Sequence, residues 1–271
     1  MISRVKKVYG YYFPNKNPFS NAPYASEEEY MMIFNEALSK NYETVREKCI
    51  DLGFTIDETY LNNLALSTQV VIKKSEINFQ HGKLIYSILR NYIETKKYQN
   101  LIILETGTAR GFSSICMSKA LTDSKVNGKI YSIDYLPHNH AMYWNSISDH
   151  GGKLSRNDLL KNWEQEKNNI IFLEGKTKKI LKKLDLKRIN FAFLDAAHTK
   201  KDVLHEFNYV KKRQINGDSI IFDDVTETAF PGVVEALNII KQQGEYEIEV
   251  FNISKNRSIG IATKIIEKYE L

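Results

Sequence analysis

Leu101-Ile102-Ile103-Leu104-Glu105-Thr106-Gly107-Thr108-Ala109-Arg110-Gly111-Phe112-Ser113 is the stretch that decides the fold. An aliphatic run of strand length stops on a carboxylate, turns through two glycines and passes into a helical pattern over Ser113–Leu121. Glycine at 107 and 111 lets the backbone turn tightly and approach a ligand closely, and the helix behind offers free N–H groups. The spacing is Gly-x-x-x-Gly with Ala109 between, which is not the Gly-x-Gly-x-x-Gly of a dinucleotide loop. Glu105 adds a carboxylate suited to a cationic ligand group, where a pyrophosphate loop would avoid one. An ordinary strand-to-helix turn is the other reading of the same residues.

Working outward, strand patterns recur at Lys129–Asp134, Ile170–Glu174, Ile189–Asp195, Ser219–Asp223, Glu247–Phe251 and Ile259–Thr263. Helices fit between them at Thr177–Leu184, Lys200–Arg213 and Gly232–Gln242. This alternation predicts an α/β fold with a doubly wound, mostly parallel sheet of seven strands. The last two strands have no helix between them, so they must form an antiparallel hairpin through Ser254-Lys255-Asn256-Arg257. Upstream, Ser26 before Glu27-Glu28-Glu29 reads as a helix N-cap, with the helix running to about Cys49. Further helices are predicted over Asp57–Lys73 and Phe79–Tyr92. The chain thus divides into an N-terminal helical extension, 1–99, and a sheet domain, 100–271. No glycine hinge separates them, so the extension is expected to pack on the rest and could pair subunits into a homo-oligomer. Met31-Met32 reads as core, and Tyr9, Tyr11, Tyr12 and Phe13 as an aromatic cluster.

Composition excludes several classes. Of 271 residues 42% are hydrophobic and 26% charged, enough apolar content for a sizeable core and too much for global disorder. No apolar run approaches the roughly 20 residues of a membrane span. Two cysteines, Cys49 and Cys116, make no disulfide framework, and Met1–Tyr12 lacks the apolar stretch of a signal peptide. A cytoplasmic protein is the expectation. The net charge of +5 is small and spread out, a weak argument for nucleic acid and equally compatible with an anionic small molecule.

In open α/β sheets ligands bind beyond the carboxyl ends of the strands. Asp134 ends the second strand and can accept both hydroxyls of a ribose, or can be a solvated strand-end carboxylate. The third strand ends in Glu174-Gly175-Lys176-Thr177, where Gly175 would admit an adenine edge and Thr177 can cap the next helix. The fourth ends in Asp195-Ala196-Ala197-His198 and the fifth in Asp223-Asp224. Each aspartate alone reads as a cap or a loop salt bridge. Together, at adjacent strand ends, three carboxylates are costly unless a cation joins them. Hard oxygen ligands suit Mg²⁺, with Mn²⁺ and Ca²⁺ as the other candidates. Such a cation would acidify a bound hydroxyl, and His198, three residues after Asp195, is placed to take its proton. The rival reading makes His198 a cap for the helix near Lys200.

Glu105–Ser113, Asp134, Glu174-Gly175, Phe193–His198 and Ile220–Asp224 resemble class I S-adenosylmethionine-dependent methyltransferases, a Rossmann-like fold. The likeness is nearer to metal-dependent O-methyltransferases of the catechol and macrolide/aminocoumarin sugar type, and spans roughly 100–263. It implies that Glu105, Thr106, Gly107, Thr108, Gly111 and Ser113 hold the methionine part of the cofactor. Asp134 would hold the ribose, and Glu174, Gly175, Lys176 and Asp195 would complete the pocket. The metal would fall to Asp195, Asp223 and Asp224. His198 matches the general base of the sugar-modifying members; the catechol type carries Lys there, which favours a sugar-containing acceptor. The segment 136–163, with His138, His140, Tyr143, Trp144 and His150, reads as a substrate lid whose aromatics can stack on a ring. The rivals are a metal-independent N- or O-methyltransferase, a nicotinamide oxidoreductase, and a non-catalytic nucleotide-binding protein on the same fold.

Overall fold

The structure, a computed structural model, describes residues 23–73 and 75–265; Tyr9, Tyr11, Tyr12 and Phe13 lie outside them. The N-terminal part contains α1 (Glu27–Leu38), α2 (Glu43–Asp51), α3 (Glu58–Thr68) and α4 (Gln80–Lys96). Ser26 caps α1 in a reciprocal box with Glu29, and Asp57 caps α3 by accepting the Tyr60 N–H at 2.7 Å. The helix expected to run unbroken to Cys49 is two. It stops at Ser39-Lys40-Asn41, residues that favour caps and turns over helix interiors. The second expected helix ends at Thr68, five residues early, where Val70-Val71-Ile72 raise the cost of continuing. Met32 is 63% exposed, contrary to the core reading of that pair.

The sheet domain follows as β1 (Asn100–Thr106), α5 (Phe112–Ser124), β2 (Asn127–Asp134), the short helices α6 (Arg156–Leu159) and α7 (Glu164–Lys167), and β3 (Ile170–Glu174). Then come α8 (Thr177–Lys183), β4 (Phe191–Leu194), α9 (Lys200–Lys211), β5 (Ser219–Phe222), α10 (Pro231–Gln242), β6 (Tyr246–Ser254) and β7 (Arg257–Lys264). The seven strands are ordered β3-β2-β1-β4-β5-β7-β6, with only β7 pairing antiparallel to its neighbours. The hairpin joins β6 to β7 through Lys255-Asn256, as the short spacing required.

Both faces of the sheet are covered. One core cluster joins Leu61, Leu64, Leu84 and Leu89 of the N-terminal helices to Ile115 of α5 and Phe191, Phe193 and Ile221 of the sheet. The other collects Leu104, Ala192, Ile220 and Phe222 with Phe207, Val233 and Leu237 from α9 and α10. Alternate residues of a strand face opposite layers, so Phe191 and Phe193 serve the first cluster and Ala192 and Leu194 the second. Residues 1–99 are therefore bound into the sheet's own core through their described part. The strand order reverses between β1 and β4, and the carboxyl ends of both open into one crevice. Among the described residues no helix is long and apolar enough to cross a membrane.

Candidate active site

Gly107 sits directly after β1 with φ +90, and a Cβ there would lie 1.9 Å from the Asp195 carbonyl oxygen. Only glycine allows the β1 loop to press against the end of β4 this way. Ala109 holds an unfavourable left-handed conformation, φ 45, and its N–H donates to Asp134 Oδ2 at 2.6 Å. The other Asp134 oxygen accepts the Leu136 N–H at 2.6 Å. One carboxylate at the end of β2 thereby fixes both its own corner and the glycine loop. Burial raises the Asp134 pKa, against the pull of Arg156 and the surrounding backbone N–H groups.

The remaining loop residues sort into two layers. Gly107, Ala109, Asp134, Gly175 and Lys176 line a cavity of about 1230 Å³. Glu105, Thr106, Thr108 and Ser113 lie buried behind the loop. The Glu105 carboxylate, expected to meet the cofactor, instead accepts hydrogen bonds from the hydroxyls of Ser113, Ser114 and Ser132. Burial raises its pKa, and those serines oppose the rise. Thr106 donates to Glu206 at 2.6 Å, and Thr108 shares a 2.6 Å bond with Ser132. Gly111 begins α5 at φ +93, where a Cβ would strike Leu160. Glu174 is exposed and accepts the His138 N–H at 3.4 Å.

The acidic end of the same cavity is built by β4 and β5, whose ends lie side by side at Leu194 and Phe222. Asp195, His198 and Asp224 form a cluster whose ligand atoms all lie within 4.8 Å of one another. His198 Nε2 is 3.3 Å from Asp195 Oδ1 and 3.5 Å from Asp224 Oδ2, with its ring against Phe230 at 4.2 Å. Burial works to lower the His198 pKa, but the hydrogen bond and charge of Asp195 and the charges of Asp224 and Asp223 raise it above its ordinary value. Burial and then the Asp223 charge push Asp195 and Asp224 up. The helix cap near Lys200 is Thr199, which accepts the Asp202 N–H at 3.2 Å, so His198 is free of that task.

Asp223 does not join the cluster. Its carboxylate pairs with Arg257 Nη2 and accepts the Asp224 N–H at 2.9 Å. Burial would raise the Asp223 pKa, and Arg257 with His81 reverses that and holds it below the usual range. Arg257 also donates to the Asn78 carbonyl at 3.1 Å, which draws the N-terminal part over the acidic end. Sequence reading missed Arg257. Its signal was an arginine opening the strand that must pair antiparallel with β5, next to two strand-end aspartates. Lys73, Asn78 and His81 complete this wall of the cavity and carry no motif that would mark them.

The segment 136–163 is mostly a packed wall. Only Leu136 and Asn145 of it reach the cavity. Trp144 is fully buried, its indole N–H donating to the Leu154 carbonyl at 2.7 Å. His138 stacks on Phe172 at 4.1 Å, and burial lowers its pKa to about 4. His150 meets the Ala25 carbonyl at 3.0 Å, while His140 is exposed. Trp144, expected to stack on a substrate ring, is thus occupied in a small core, and half-buried Tyr143 does not line the cavity. Asn145 ties this wall to the N-terminal part, accepting from Tyr30 Oη at 3.1 Å and the Ile72 N–H at 3.0 Å, and donating to the Ile72 carbonyl at 2.9 Å. Asn145→Ala strands those buried partners and places alanine at φ 54. It is expected to cost about 1–3 kcal/mol in a denaturant titration, with Asn145→Asp closer to the parent; an unchanged midpoint would remove the clamp from this account.

Residues 104–225 match the family model described as a methyltransferase domain. That stretch reads as a methyltransferase domain. The fold agrees with solved methyltransferases at low identity. The O-methyltransferase TomG from Streptomyces achromogenes, in complex with S-adenosylmethionine, superposes with a TM-score of 0.56 at 18% identity, covering 79% of this chain and 92% of that one. The O-methyltransferase NovP gives 0.52 at 15%, covering 72% and 83%. An O-methyltransferase from Bacillus cereus, in complex with S-adenosylhomocysteine, gives 0.50 at 13%, covering 88% and 100%. Among curated proteins none matches this chain by sequence.

Proposed function

We propose that this methyltransferase transfers a methyl group from S-adenosylmethionine to a hydroxyl of a small, sugar-containing acceptor, with His198 as the general base. The carrying observation is that one cavity joins Gly107, Ala109, Asp134 and Gly175 to Asp195 and Asp224. At about 1230 Å³ it exceeds a typical single-ligand pocket of roughly 300–1,000 Å³, leaving room for cofactor and acceptor together. Methyl transfer is an in-line displacement: the acceptor oxygen attacks the methyl carbon as the sulfur leaves with its electron pair. The chain's work is to align the three atoms, exclude water and take the hydroxyl proton. His198 Nε2, poised between two carboxylates at the cleft, is the group whose chemistry fits that proton. The solved O-methyltransferases of this fold support oxygen as the acceptor atom. In this reading residues 100–271 carry the reaction and the N-terminal part closes the acceptor side.

A divalent cation fits the donor set of Asp195 and Asp224, two half-buried carboxylates at one edge of the cavity with His198 beside them. When bound there, it would supply charge to lower the pKa of the acceptor hydroxyl. Asp223, committed to Arg257, would support it from behind. A metal-independent reaction is the second reading, favoured by one observation. Arg257 pairs with Asp223, and His198, its pKa raised, lies between Asp195 and Asp224, so the carboxylates already have partners.

Isothermal titration with S-adenosylmethionine, S-adenosylhomocysteine and NAD tests the class. Binding of the two sulfur nucleotides and not of NAD is expected; the reverse would overturn the reading. Asp134→Asn should weaken S-adenosylmethionine by about 1–3 kcal/mol, since the amide accepts ribose hydroxyls less well and disturbs the loop. Turnover surviving exhaustive chelation would leave the metal-independent reading standing.

A further inference from the structure

Arg156 is the least expected charge in the molecule. It lies on α6, in the segment between β2 and β3, and is 1% exposed. A buried guanidinium must be satisfied by hydrogen bonds and charge. Its Nε donates to the Ala109 carbonyl at 2.8 Å and its Nη2 to the Leu136 carbonyl at 3.2 Å. Its Cζ lies over the Trp144 ring at 5.6 Å and over the Phe172 ring at 5.7 Å. The two residues it grips by their carbonyls, Ala109 and Leu136, are the same two whose N–H groups Asp134 holds. One arginine and one aspartate thus clamp the glycine loop to the β2 corner, through the C=O and the N–H of the same two residues.

We propose that Arg156 is a positioning residue for the cofactor: it fixes the glycine loop against the β2 corner and so holds Asp134 in place for the ribose. This rests on the methyltransferase reading of the site. Neither Arg156 nor its segment carries a motif that marks it. The fork geometry of arginine, fixed by stacking, suits two carbonyls at once, which lysine cannot reproduce. The electrostatics agree with the geometry. Burial is the main force on Asp134 and opposes its charge, and Arg156 is the first opposing influence. The other charged groups facing this corner are Glu105 beneath it, which repels, and Glu174 on β3, whose influence reaches Arg156. Lys176 lines the cavity beyond. Removing Arg156 leaves burial and Glu105 opposed only by the backbone N–H groups of the corner, so Asp134 takes up its proton at a higher pH.

The test is the affinity for S-adenosylmethionine across pH in the full chain, its Arg156→Met and Arg156→Lys variants. Arg156→Met is expected to bind about tenfold more weakly near pH 8, with the deficit widening as pH falls and Asp134 takes up its proton. Arg156→Lys should bind more weakly yet keep the parent's pH profile, because it returns the charge without the fork. A merely structural arginine would lower affinity by the same factor at every pH, and that result, or unchanged affinity, would overturn the proposal. A thermal cycle reads the coupling without cofactor. Asp134→Asn should recover part of the melting temperature lost in Arg156→Met, and strict additivity would count against the pair. If the parent chain itself fails to bind S-adenosylmethionine, the methyltransferase reading falls, and the thermal cycle alone decides the clamp.

Discussion

His198→Ala is expected to lower kcat by about 10²–10⁴ while the affinity for S-adenosylmethionine holds, the loss that follows when a positioned base is removed. The imidazole lies 3.3 Å from Asp195 and 3.5 Å from Asp224, and the glycine loop is held by Asp134 through the Ala109 N–H. Thr199 caps α9 independently, so the variant should keep nearly the parent's melting temperature. The pH profile provides a second reading. Those carboxylates raise the His198 pKa above 6.5, and only the neutral imidazole can accept a proton. The rate should therefore rise with pH through that raised value. Asp224→Asn, which takes away one of the charges holding the proton, should move the rise to lower pH. Near-normal kcat in His198→Ala would transfer proton removal to another group and leave His198 as a partner of the two aspartates.

Arg257→Met carries the largest expected stability loss. It leaves the Asp223 carboxylate, 1% exposed, without its cation, and breaking one side of such a buried pair costs about 3–5 kcal/mol. It also removes the donor to the Asn78 carbonyl, loosening the wall over the acidic end. For a chain of this size the fall in melting temperature should be roughly 10 °C or more. The sign with pH is fixed by the depressed Asp223 pKa. Its pairing contributes stability above the unfolded pKa of an aspartate, about 3.9, and loses it as pH falls through the lower folded value. The deficit of Arg257→Met should accordingly be full near neutrality and shrink in acid, as Asp223 protonates. Arg257→Met paired with Asp223→Asn should be milder than Arg257→Met alone. A small, pH-independent change would mean that solvent already screens the pair.

Much of the architecture follows from the order of residues alone. All seven strands and α5, α8, α9 and α10 between them are written in local periodicity and in the punctuation of Gly107, Gly111 and the 255–256 turn. The hairpin was forced by chain length, because a parallel return needs a crossover the sequence does not contain. Strand-end placement of Asp134, Asp195, Asp223 and Asp224 followed from the same pattern. Boundaries were less legible at 39–42 and 69–73, where weak helix formers sit inside an otherwise periodic stretch and tertiary packing decides the end.

Side-chain partners were decided by contacts distant in sequence. Nothing in Glu105-Thr106-Gly107 says that three serines, one of them 27 residues away, will take the Glu105 carboxylate. Nor does Asp223-Asp224 say which of two adjacent carboxylates will turn to an arginine 34 residues on. Adjacent residues beyond a strand point different ways, and the left-handed backbone at Asp224, φ 56, sends its side chain to His198 while Asp223 faces Arg257. The aromatics of 136–163 and the reach of Arg156 likewise depend on what packs against them. Sequence determined which chemistry-bearing residues stand at the sheet's edge, because strand periodicity is local. Tertiary structure decided which of them are spent on one another and which remain for a ligand, because burial gives every charge a partner that only the folded chain can supply.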